Sequence, residues 1–124
     1  MNTEKTRTYY QNIKADDLCQ CRDCQYFIRH AKAAFPALAE YLASLGADIE
    51  KPFELMPLSP DENGQLLYIG EQYVLMGSSE DFVNTEIGGL EIRIADSHPM
   101  TDISEEHFVI EVSPLSLKVI PEEY

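Results

Sequence analysis

The chain has 124 residues and a net charge of −13, with 22 acidic groups against nine basic ones, so it fits one domain large enough to bury a core. Such a field repels phosphate backbones and anionic bilayers, and no basic stripe relieves it; nucleic acid and membrane surfaces are excluded as partners, and a basic protein is the class the charge favours. No run approaches the roughly 18 apolar residues of a bilayer span, the N-terminus lacks the apolar stretch of a secretion signal, and three crowded cysteines do not make a disulfide framework; the expectation is a cytoplasmic protein with reduced thiols.

Residues 1–15 read as a polar N-terminal arm. Tyr9, Tyr10 and Ile13 are its only large anchors. A poorly ordered tip is expected, with the tyrosine pair tying the arm to the body.

The arm ends at Asp16-Asp17-Leu18-Cys19-Gln20-Cys21-Arg22-Asp23-Cys24, which holds every cysteine of the chain in a C-x-C-x2-C spacing. Asp16 or Asp17 suits a helix N-cap, and Asp23 suits an early helical turn. Phe27, Ala31, Ala34, Leu38, Leu42 and Leu45 then recur at three- and four-residue intervals, one face of a helix. Pro36 interrupts it and pushes Phe35 off helical angles, so two abutting helices are expected, over 20–34 and 36–45, with Gly46 as the stop.

The period then changes to two. Pro52 and Pro57 confine the segment around Phe53–Met56 to a short edge. Asn63-Gly64 marks a turn, and Leu66 to Met76 a strand with a bulge or bend at Gly70–Glu71. Leu90/Ile92/Ile94, Phe108/Ile110/Val112 and Leu115/Leu117/Val119 each alternate with polar neighbours, which means a sheet with one buried and one wet face. Short connections favour antiparallel pairing. The fold class is therefore α+β in two layers. The helical part (16–46) packs on one face of a four- to five-stranded antiparallel sheet (53–120), within a single domain spanning 1–124.

The chemistry concentrates at the cysteines. Thiolates are good zinc ligands, and Cys21 and Cys24 share a helix face, with Cys19 able to fold back from a non-helical turn. A fourth ligand has to come from elsewhere. His30 lies about 240° around and about 9 Å along a helix from Cys24, which demotes it. His98, in a free loop, and His107, at a strand start, are the candidates. The metal site is thus Cys19, Cys21 and Cys24 with His98 or His107, and zinc is its expected ion. The alternatives are inert packed thiols, or a redox or nucleophilic cysteine. The neighbouring aspartates oppose a reactive thiolate by raising thiol pKa values.

Other features carry less. Asp96-Ser97-His98 has the residue types of a hydrolase triad, but adjacent residues on extended chain point apart, and a polar turn closed by Pro99 explains them. The remaining carboxylates, Glu71 among them, read as solvated loops and edges. Asp61–Gly64 does not continue into a calcium loop, and Gly88-Gly89 is a turn rather than a phosphate loop. The reading is a small non-enzymatic protein with a structural metal site. Behind it stand an acidic interaction module of the inhibitor or immunity type and, third, a thiol-dependent enzyme or redox sensor.

Overall fold

Pro36 divides the helical face where its ring requires. In the computed structural model, which describes Met1–Tyr124, α2 spans Arg22–Ala34 and α3 spans Pro36–Ser44, with the proline at the first helical position, where its missing N–H costs nothing. Phe27, Ala31, Leu38 and Leu42 are buried; Ala34 is exposed and Leu45 only partly covered. Gly46 closes the helix at φ +90°, a left-handed conformation, and its α-carbon sits so close to the N-terminal segment that a Cβ would stand 2.5 Å from the Thr3 carbonyl oxygen.

That N-terminal segment is no loose arm. Thr3–Gln11 is a helix, α1, capped by Asn2, whose side chain accepts from the Lys5 N–H. Two side-chain hydroxyls help dock it, beside a backbone bond from the Asn2 N–H to the Met76 carbonyl at 2.8 Å. The Thr6 hydroxyl donates to the Asn2 carbonyl and accepts from the Met76 N–H at 2.9 Å, and the buried Tyr10 hydroxyl donates to the Val74 carbonyl at 2.9 Å. Polar composition hid a helix that is anchored by these hydrogen bonds together with the buried ring of Tyr10.

Six antiparallel strands follow, one more than the upper expectation: β1 (Glu54–Pro57), β2 (Gln65–Met76), β3 (Thr85–Ile87), β4 (Leu90–Ile94), β5 (His107–Ser113) and β6 (Leu115–Lys118). The extra one is β3, a three-residue edge strand joined to β4 by Gly88-Gly89, both at positive φ, as a two-residue hairpin allows. The order is β1-β2-β5-β4-β3, and β6 continues β5 along the same side of β2.

β2 is the spine, and its faces switch midway. Leu66 and Tyr68 enter the core, but so do Tyr73 and Leu75. The switch lies at Ile69–Gly70, where two residues of β2 oppose Met56 alone and the β1 register shifts. Across the strand the partner switches too. Val112 and Leu115 both enter the core, on either side of Ser113-Pro114, and the pairs Tyr68–Leu115 and Glu71–Val112 remain in one register. The bend expected at Gly70 is real, and it acts on two strands at once.

This switch turns Glu71 inward, contrary to the solvated reading. Glu71 pairs with Leu55 on one side and Val112 on the other, is fully buried, and has no partner for either carboxylate oxygen. Burial, and secondarily the Glu111 carboxylate, pushes its pKa up to about 9. It is a neutral acid at pH 7.

The helices and the inner face of the sheet enclose a core of 22 buried residues, so the two-layer α+β arrangement stands. The opposite pleat is not wholly wet: Val74, Met76 and Val109 form a small second cluster under Tyr9, Phe53, Ala95 and Ile103. No helix is long and apolar enough to cross a membrane.

Candidate metal centre

The loop before α2 is shaped by its own side chains. Ala15–Asp17 makes one 3-10 turn, and the Asp17 carboxylate accepts from the Lys14 N–H at 2.9 Å. Gln20 donates from its side-chain amide to the Ala15 and Leu18 carbonyls, and Gln25 reaches back from the helix to the Cys19 carbonyl at 2.8 Å. The helix cap is neither Asp16 nor Asp17. It is Cys21, with extended backbone, whose Sγ accepts from the Cys24 N–H at 3.4 Å. Asp17 is spent on the preceding turn, Asp16 lies within that turn, and a sulfur takes the capping position.

The result is a sulfur triad. The Sγ atoms of Cys19, Cys21 and Cys24 all lie within 4.8 Å of one another. Tetrahedral zinc, at about 2.3 Å from each sulfur, would set them about 3.8 Å apart. The group could hold one metal ion after a contraction of an ångström or less. Cys19 and Cys21 are exposed, whereas Cys24 is buried and belongs to the core. Cys19 and Cys24 line a cavity of about 50 Å³ together with Leu18, Ile28, Phe53 and Leu55 and with the acidic residues Asp17 and Glu54.

The aspartates do not dominate the thiols. Desolvation raises the Cys21 thiol, but hydrogen bonds from the Cys24 N–H, from the Cys24 and Cys19 thiols and from the Asp23 N–H outweigh it and leave it below its ordinary value. Asp23 acts here through its backbone, not its charge. Cys24 is raised well above its ordinary value, first by burial and then by its two sulfur neighbours. Between these two thiols, the surroundings favour the thiolate at Cys21 and oppose it at Cys24.

The structure brings the three cysteines together and places the histidines elsewhere. His107 opens β5, and its two ring nitrogens lie 2.7 Å from Thr101 Oγ1 and 2.7 Å from the Glu105 carbonyl. His98 is exposed, with Nδ1 2.7 Å from the Pro99 carbonyl and its ring edge-on to Phe53. His98 shares a shallow cavity with Glu54, Met56 and Gln72, which does not include the cysteines. His30, demoted by helix geometry, stacks on Tyr26 and faces Glu123 at 3.7 Å.

Residues far along the chain hold the cysteine helix down, and these the sequence reading missed. The Tyr68 hydroxyl donates to the Asp23 carbonyl at 2.6 Å. Tyr124 donates to the Asp23 carboxylate at 2.5 Å and lies under the Arg22 guanidinium. Tyr26 donates to the Lys118 carbonyl and accepts from the Ile120 N–H. Three tyrosines do this work. Their ring-plus-hydroxyl character, an apolar body with a polar tip, was the available signal. No family model, curated protein or solved structure matches the chain.

Proposed function

We propose that this is a non-enzymatic metal-binding protein that holds one thiophilic ion, zinc, on Cys19, Cys21 and Cys24. The observation that carries the reading is the mutual approach of three sulfurs to within 4.8 Å. Soft thiolates select zinc and other thiophilic ions over magnesium or calcium, and the spacing suits a single ion. Three thiolates and a dication leave one net negative charge, and the Cys24 N–H at the start of α2 is already directed at Cys21 to offset it. Metal analysis of the reduced, purified chain tests this. The expected result is close to one zinc per chain, lost on Cys21→Ser; no stoichiometric metal at all would refute it.

A second reading has its own support. Lys5, Arg7, Arg22 and Arg93 each lie beside a carboxylate, so much of the small positive complement is spent internally and the acidic excess is left outward. A basic protein partner fits that surface. Such a complex would weaken steeply with added salt, and an affinity indifferent to ionic strength would rule it out.

A further inference from the structure

We infer that the ion's fourth coordination position is open and exchangeable. The cysteine triad would then hold water there at rest, accept a donor from outside the chain, and keep its metal for exchange rather than to brace the fold. This deepens, and rests on, the reading of the triad as a metal site.

Structural zinc sites are closed by four protein ligands, and sites with three protein ligands keep a position for water or an incoming group. Here three sulfurs converge, and no histidine nitrogen or carboxylate oxygen stands in the same group; the nearby side chains are turned to other partners. The Asp17 carboxylate accepts from Lys14 N–H, the Asp23 carboxylate from the Tyr124 hydroxyl, and the Glu54 carboxylate from Leu55 N–H. His107 has both ring nitrogens engaged, and His98 lies in a cavity that does not include the triad. Closing the site from within would require one of these side chains to move in toward the sulfurs.

The exposure of the ligands sets the direction of the opening. Cys24 is buried in the core, and Cys19 and Cys21 are exposed. An ion held by all three therefore has protein behind it and solvent in front. A donor can approach on that side without moving the helix.

The fold does not call on the metal. Small domains use zinc where apolar burial is insufficient. This one has its 22-residue core between helices and sheet, and the loop that carries Cys19 is already held by Gln20 and Gln25. The site is assembled by side-chain hydrogen bonds, so loading and unloading need not be coupled to folding.

Cobalt(II) is the probe. The reduced chain is titrated with cobalt in the absence of oxygen, and the visible spectrum is followed while imidazole is added. The expected result is a cobalt–thiolate spectrum that shifts saturably with one imidazole per ion. The same spectrum is expected in Asp17→Asn, His98→Ala and His107→Ala, with far-UV circular dichroism unchanged when the metal is chelated. Cysteine substitution is expected to weaken binding beyond the about 10–100-fold that outer-shell losses cost. Tight cobalt binding with a spectrum indifferent to imidazole would overturn the open position, as would a spectrum altered by one of the three variants. Loss of helical signal on chelation would overturn the exchange role. Absence of any cobalt–thiolate spectrum would instead remove the metal site itself.

Discussion

The Tyr68 hydroxyl meets the backbone carbonyl of Asp23 at 2.6 Å, joining the central strand to the first turn of the cysteine helix. Tyr68 is fully buried and its ring packs edge-on to Phe27, so the strand sets the helix position by shape as well as by this bond. Tyr68→Phe keeps the ring and removes the bond. A loss of about 1 kcal/mol is expected in urea unfolding, because a typical buried hydrogen bond contributes about 0.5–1.5 kcal/mol. Metal affinity should fall as well, since the Cys24 position loosens.

Glu71 makes stability depend on pH in an unusual direction. Its folded pKa, about 9, lies above the unfolded value, so the folded state binds the extra proton. This contribution is fully present below the unfolded carboxylate pKa and is lost as pH rises toward the folded one, by about 1.4 kcal/mol per pH unit between them. Glu71→Gln cannot ionise. The difference in unfolding free energy between Gln and Glu forms should grow in favour of Gln from pH 5 to pH 9. A difference that stays flat across that range would mean that Glu71 is not buried as a neutral acid.

Gly46→Ala meets two obstacles at once: positive φ and the Thr3 carbonyl oxygen 2.5 Å from the new carbon. Strained backbone of this kind costs about 1–3 kcal/mol. Gly64 also has positive φ, but nothing lies within 4 Å of its position. Gly64→Ala should therefore cost less, and comparing the two melting temperatures separates close approach from backbone strain.

Thr6→Val replaces the hydroxyl with a methyl group of similar size. The Met76 N–H then has no acceptor in a buried setting. An unpaired buried donor costs about 1–3 kcal/mol. The expected outcome is that loss, with faster amide exchange at Met76 and through α1. Unchanged exchange in α1 would mean that its docking does not depend on the Thr6 hydroxyl.

Periodicity made most of the fold legible. Leu38 and Leu42, Phe108, Ile110 and Val112, and the proline break all behave as their spacing requires. What escaped was set by contacts distant in sequence. The tie through Tyr10 was expected from the tyrosine pair, but the helix α1 itself and its Thr6 anchor were not, because a hydroxyl's hydrogen bonds leave no trace in hydropathy. Glu71 is inward because a bulge changes the alternation, and a strict period of two puts it outside. At the site, the spacing of Cys19, Cys21 and Cys24 was sufficient to suggest a group. The cap by Cys21 was not legible, because Asp16 and Asp17 are the better cappers by type and only the 3-10 turn that contains them shows that the helix starts later, with Asp17 bonded to Lys14. The positions of His98 and His107 depended on loops, which carry no periodic signal.

The ties between α2 and the last strand bear on the order in which a growing chain acquires its parts. Tyr26 meets Lys118, and Asp23 meets Tyr124, across 92 and 101 residues. The three cysteines, by contrast, lie within a six-residue stretch near the start. During synthesis the thiols leave the ribosome long before the segment that clamps their helix exists. If the triad binds metal as proposed, the nascent loop can capture an ion first, and the helix is seated over it only when Lys118 to Tyr124 arrive.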